Sequence, residues 1–279
     1  MEVKVIADSV SQSGVRLTTL QLKYWRAIHA EVMTHRCMSR NASSSRAIPI
    51  DKMIEQVRTN PAGPAYWGTN KPGMQAGDEI VGIDEARERW LAAASSAAWQ
   101  AERLQDLGLH KQVVNRVLEP FQFIHVVISA TDWENFFNLR IHPDAQPEIR
   151  LLAEAIRDAR DASTPRFKGL DRGDAINWHL PYLLDSEMLD LRNDPIKLAR
   201  ISAARCARVS YLKHDGQSPS IEDDLALYER LAGSAPIHAS PLEHQAYPLT
   251  KREWKGANFR GWGQFRAMVE IELQNEFDV

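Results

Sequence analysis

Four short segments carry polar side chains whose types and spacing could do chemistry. THRCMSRNASSSR, residues 34–46, packs four serines, three arginines and a histidine into thirteen residues. Hydroxyls and guanidinium forks gathered just past a predicted helix end suit a phosphate. The same composition also suits a solvated helix terminus with a Ser-rich turn. ATDWENFFNLR, 130–140, puts Asn135 and Asn138 at i, i+3 on one helix face and Arg140 at the helix end. There Arg140 could meet a ligand or simply complement the helix dipole. The remaining two are ARCARVSY, 204–211, and IHASPLEHQAYP, 237–248. His238, Glu243 and His244 hint at a metal, but the spacing is not H-E-x-x-H and Pro241 breaks any helix between them, so no metal is expected. Cys37 could be a thiolate activated by His35 or Arg36, or a small buried apolar residue.

The elements that must position these groups follow from periodicity. Residues 2–24 alternate across a Ser-Gly turn and predict a hairpin, followed by a helix to about Met38. NPAGPAYWGTNKPGMQAG, within a Pro/Gly-rich stretch at about 60–80, predicts a long loop carrying Tyr66 and Trp67. Helices are expected at 84–107, 110–119, 131–140, 146–162, 195–208 and 220–232, with a buried strand at 121–129 and another near 247. Few strands, the first two hairpin-linked, imply an α/β (α+β) fold with a small, mostly antiparallel sheet flanked by helices. We expect one catalytic domain over 1–279.

The composition removes several function classes. A formal charge of -3 provides no field for a nucleic acid polymer or an acidic membrane. No apolar run approaches a membrane span, the N-terminus does not resemble a signal peptide, and two cysteines form no disulfide framework. A soluble, cytoplasmic protein is the expectation. Arginine outnumbers lysine 24 to 10, and the guanidinium fork binds phosphate and carboxylate bidentately.

Taken together, the segments resemble the flavin-dependent thymidylate synthases. That family carries Arg-His-Arg, seven residues, then Ser-x-Arg; here stand Thr34-His35-Arg36, seven residues, then Ser44-Ser45-Arg46. Its Asn-Phe-Leu-Asn-Leu-Arg and Ala-Gln-x-Glu-Ile correspond to NFFNLR (135–140) and AQPEI (145–149), and an upstream arginine to Arg116 in NRVLEP. Its Ala-Arg-Val-Ser-Phe and His-x-Thr-Pro-Phe-Glu-His normally come first, whereas ARVSY (207–211) and HASPLEH (238–244) come last. The chain therefore resembles a circularly permuted, divergent, phage-type member.

The resemblance implies a set of roles. Ser44, Ser45, Arg46 and Arg116 would bind a pyrimidine deoxynucleotide, dUMP by family. His35, Arg36, Asn41, Asn135, His238 and Ser240 would face FAD or the pocket mouth. Arg140 would polarise the pyrimidine, with NADPH and methylenetetrahydrofolate, a folate, as co-substrates and a homotetramer sharing its sites. Thr34, Ala42, Ala47 and Ser129-Ala130-Thr131 depart from the family, which has arginine at the positions of Thr34 and Thr131. In NFRGWGQFR, 258–266, Arg266 is the expected substitute at Thr34, with Arg260 the other candidate. Two other readings stand beside dUMP methylation: a dUMP or dCMP C5 hydroxymethylase or dCMP methylase, and a non-catalytic nucleotide-binding protein.

Overall fold

The computed structural model describes residues 1–210, 220–233 and 236–277; Tyr211 of the ARVSY segment lies outside them. The central sheet is built from β1 (Glu2–Ser11), β2 (Arg16–Trp25), β3 (Ser39–Ala42), β4 (Phe123–Ala130) and β5 (Arg166–Lys168), in the order β3-β4-β2-β1-β5. Only the β1/β5 pair is parallel. The expected hairpin is present. Gly14 closes it at φ +78, donating to the Ser11 carbonyl at 2.8 Å, a left-handed position open to a residue without Cβ.

β2 is the buried centre of the sheet, and its alternation sorts its side chains between two cores. Leu20, Leu22 and Tyr24 point with Val126 and Ile128 of β4 into the first core. That core is closed by α1 (His29–Met33), by Phe136 of α5 (Glu134–Arg140) and by Ile149, Leu152 and Ile156 of α6 (Pro147–Asp161). A second cluster joins α2 (Ile50–Thr59), α3 (Ile83–Asp106) and α4 (Lys111–Leu118). There α3 contributes the stripe Ala94, Ala98 and Ala101, small enough for close helix approach. The last third adds α7 (Asp185–Asp190), α8 (Pro195–Ala207), α9 (Ile221–Ala232), short strands β6 (Ala246–Pro248), β7 (Lys255–Gly256), β8 (Phe259–Arg260) and β9 (Trp262–Gln264), and α10 (Phe265–Phe277). Leu198, Ile201, Leu227, Leu231 and Phe265 share its core.

Two local differences from the sequence reading have clear causes. The first helix ends at Met33, not Met38. Thr34 Oγ1 donates back to the Glu31 carbonyl, and Arg40 Nη1 donates to the carbonyls of Met33 (3.1 Å) and His35 (2.6 Å), terminating the helix. The polar cluster then becomes β3, pairing with the edge of β4 from Ser39 opposite Ser129 to Ala42 opposite Val126. Thr131–Trp133, expected to be helical, precede α5.

A buried chain of hydrogen bonds fastens the last third to the sheet. Ser9 Oγ meets His179 Nδ1 at 2.9 Å, His179 Nε2 meets Thr19 Oγ1 at 2.7 Å, Thr19 Oγ1 meets Ser129 Oγ at 2.6 Å, and Ser129 Oγ meets His244 Nδ1 at 2.8 Å. All five residues are buried. Thr19→Val should strip His179 and Ser129 of a partner and destabilise the protein by about 1–3 kcal/mol. Chemical denaturation of wild type and variant measures this, and an unchanged midpoint would refute a fastening role for the chain.

Candidate active site

Arg140 ends α5 and is the hub of a polar cluster. Its Nε donates to His35 Nε2 at 3.0 Å, Nη1 to Glu31 Oε2 at 3.0 Å and Nη2 to Thr34 Oγ1 at 3.4 Å. Because His35 Nε2 accepts, the ring proton sits on Nδ1 and the imidazole is neutral. Burial first, then the Arg140 and Arg40 charges, holds the His35 pKa below the usual histidine value. Phe136 packs edge-on against the ring at 4.8 Å, fixing its plane. A guanidinium has five N–H donors, and two of those of Arg140 meet no partner among the described residues.

Arg140 also lines a cavity of about 1020 Å³. Arg140 and Glu31 share its wall with Trp25 and with the Ala145–Glu148 segment that opens α6. The expected Pro/Gly-rich loop lines the cavity too, contributing Pro64–Tyr66 and Met74–Ala76. Specific contacts order this loop. The Ala65 N–H donates to Glu148 Oε1 at 2.8 Å, Tyr66 hydroxyl donates to the Gly77 carbonyl at 3.0 Å, and Trp67 packs edge-on against Trp90. Glu148, only 5% exposed, thus uses a buried carboxylate to place the loop over Arg140.

The other sequence-predicted residues fall into separate groups. Asn41 Nδ2 donates to the Cys206 carbonyl at 2.8 Å, and Ser240 Oγ donates to Asn41 Oδ1 at 3.0 Å. Ser44, Ser45 and Arg46 form the turn after β3, where Arg46 N–H donates to Ser44 Oγ and Asn115 Nδ2 to the Ser45 carbonyl at 2.6 Å. This turn docks on α4, whose Arg116 is exposed and paired with Glu119 at 2.8 Å. Arg36, Asn135 and His238 are exposed. Arg266 is bonded to Glu243 and, at 2.8 Å, to Glu270; the guanidinium at Thr34 is that of Arg140. Arg260 lies beside the other altered position, its N–H donating to Thr131 Oγ1 at 3.2 Å and its side chain paired with Asp132.

Cys37 shows no sign of activation. Burial pushes its thiol pKa up, and its Sγ is 3.5 Å from the Asp132 carbonyl. Among the described residues no group of three His, Cys, Asp or Glu could hold a metal, and no helix is long and apolar enough to cross a membrane. Glu31 and Glu148 were missed by sequence reasoning. For Glu31 the available signal was its place four residues before His35 on a helix face; for Glu148, its place inside AQPEI.

Comparison with known proteins follows from this geometry. No curated protein sequence matches the chain. Among solved structures, the UMP/dUMP methylase PolB from Streptomyces cacaoi bound with 5-Br UMP is 17% identical, over 57% of this chain and 87% of that one, with a TM-score of 0.44. The flavin-dependent thymidylate synthase ThyX from Helicobacter pylori, complexed with FAD and dUMP, is 17% identical over 52% of this chain and 67% of that one, with a TM-score of 0.37. Residues 17–166, a little over half of the chain and spanning β2 through the start of β5, match the thymidylate synthase complementing proteins, Thy1. That stretch contains Arg140, His35, Glu31 and the loop above them, and the chain belongs to the thymidylate synthase complementing protein family.

Proposed function

We propose that the protein methylates C5 of dUMP to give dTMP, with methylenetetrahydrofolate as the one-carbon donor. The observation that carries this reading is Arg140, held by three hydrogen bonds in the wall of an ample cavity, with two N–H donors that meet no partner among the described residues. C5 of uracil becomes a carbon nucleophile only if negative charge can collect over N3, C4 and O2, and a preorganised guanidinium stabilises that charge. Glu31, in the same wall, holds the guanidinium at Nη1, while neutral His35 holds it at Nε without adding charge. Trp25 and Tyr66 offer faces to planar rings. Family membership supports the reaction class.

The donor chemistry fits a dinucleotide cofactor. Exposed Arg36 and the exposed Asn135 amide suit the pyrophosphate and ring edge of a flavin, while the Ser44–Arg46 turn, with exposed Arg46, suits the phosphate of the substrate nucleotide. FAD, when bound and reduced, supplies the hydride that completes the methyl group, and NADPH regenerates it. The protein's part is to bind, orient and polarise. Asn41 and Ser240 are spent on each other, so in this reading they position the segments around the cofactor.

The same reading makes the chain one catalytic unit, circularly permuted and assembled as a homotetramer. Permutation is supported by Ser240 on Asn41 and His244 on Ser129, which seat the last-placed HASPLEH segment against β3 and β4. Four residues of β3 carry the chain roughly 13 Å from the His35 side to the Ser44–Arg46 turn. Base and phosphate sites that far apart in one chain favour a pocket completed by a second copy.

Three measurements test the proposal. Mass spectrometry of the products from dUMP and dCMP, with methylenetetrahydrofolate, FAD and NADPH, should detect dTMP from dUMP only. A hydroxymethyl product or conversion of dCMP would replace the reading, and no product with either would leave a binding protein. Arg140→Lys should lower turnover by about a hundredfold or more with little change in dUMP affinity, because a point charge cannot copy the planar contact. Unchanged turnover would reduce Arg140 to a helix-ending residue. Light scattering of the FAD-loaded enzyme should give a tetramer; an active monomer would rule out the shared pocket.

A further inference from the structure

A second cavity, of about 220 Å³, lies where β1 meets β5 and shares no lining residue with the Arg140 cavity. Its mouth is exposed and polar, with Thr164, Arg166 and Asp185. Its inner wall holds Lys168, 7% exposed, beside Ser9 and the apolar Trp178, Leu180, Leu183 and Met188. A register shift between Val5 and Ala7 in β1 brings Ile6 into the lining as well.

The charges around Lys168 do not balance locally. Its Nζ has one partner among the described residues, the Ile176 carbonyl at 2.6 Å, although an ammonium carries three N–H donors. Every carboxylate near it is already taken by an arginine. Asp185 is held by Arg166 at 2.7 Å, Asp174 by a fork from Arg192 at 2.8 Å, and Asp8 by Arg16 at 2.9 and 2.6 Å. Among the lining residues, then, the ammonium of Lys168 is the one charge without a counter-ion. Burial accordingly pushes its pKa down to about 8. A buried cation of this kind is costly unless something pairs with it.

We propose that this cavity binds a small monocarboxylate, with its carboxylate on the Lys168 ammonium and its body against Trp178, Leu180, Leu183 and Met188. One uncompensated positive charge matches one negative charge; a dianion would bring a second charge with no partner. The volume is that of roughly seven waters, enough for a ring or short branched chain and too small for a nucleotide. The apolar wall favours a ligand with a hydrophobic body over a bare inorganic ion. The inference does not depend on the reaction proposed above.

Titration calorimetry on the full chain at fixed ionic strength tests it, with sodium benzoate, sodium acetate and inorganic phosphate as probes. Benzoate should bind saturably and more tightly than acetate, and phosphate should not compete with it. Lys168→Met, which replaces the buried ammonium by an apolar side chain of similar length, should weaken benzoate binding by about tenfold or more, as expected for loss of a charge-assisted hydrogen bond. Leu183→Trp should abolish it by filling the cavity while leaving Lys168 in place. Saturable phosphate binding with no benzoate binding, equal benzoate affinity in Lys168→Met, or no saturable benzoate binding by the wild type would each overturn the proposal.

Discussion

The hydroxyl of Thr19 is the constraint on which much of the structure depends. It sits on the central strand, fully buried, where an unpaired hydroxyl would cost as much as several well-made surface contacts return. Ser129, directly opposite on β4, satisfies one side, and His179 from the last third satisfies the other. The order of donors along the chain can be deduced. If His244 Nδ1–H donates to Ser129, Ser129 to Thr19, Thr19 to His179 Nε2, and His179 Nδ1–H to Ser9, then His244 Nε2, which has no partner among the described residues, is left with a bare lone pair. The opposite order would strand a buried N–H, the costlier outcome. Both rings are thus neutral, in keeping with burial that lowers both pKa values, His244 to about 3. The last third is seated on the sheet by this polar chain as well as by its own apolar core.

That seating matters for the Arg140 site. β2, held in register by Thr19 and its neighbours, leads directly into α1, which supplies Glu31 and, just past its end, Thr34 and His35. β4, held by Ser129, leads into α5, which supplies Arg140. The two halves of the cluster therefore emerge from adjacent strands whose relative position is fixed deep in the sheet. Arg140 itself contributes little to stability, since its ion pair with Glu31 is partly open to solvent, with Glu31 39% exposed. Its three bonds orient a guanidinium in the wall of a cavity.

How far the sequence foretold this depended on whether local pattern or distant partners decide an element. The first hairpin, β4, α3, α6, α8 and α9 were legible, because each buries a face with a clear period. β3 was not. Ser39, Arg40, Asn41 and Ala42 lack the apolar alternation of a strand, and their polar groups are satisfied by residues far along the chain: Asn41 by Cys206 and Ser240, Ser39 by Asn258 and Gln264. The candidate site divides in the same way. Arg140 could be singled out from its helix-end position and its segment. Glu31 and Glu148 carried only weak signals, since a glutamate on a helix is ordinarily a solvated face, and the fold turns these two toward Arg140 and the loop.

The altered positions Thr34 and Thr131 sharpen that point. Arg266 was the residue expected to reach Thr34. As the second residue of α10, however, it lies one helical turn before Glu270 and within reach of Glu243, and both carboxylates hold it. Arg260 is placed by its backbone instead. The Arg260 N–H bonds Thr131, and Gly261 follows at φ +68, a left-handed turn that sends the chain on into β9. A side chain bonded only through its tip can swing away, but one whose own peptide N–H is anchored brings its guanidinium with it. The guanidinium nearest Thr131 is thus that of Arg260, which Asp132 pairs and the backbone of β8 places, and at Thr34 the guanidinium is the one that α5 already supplies.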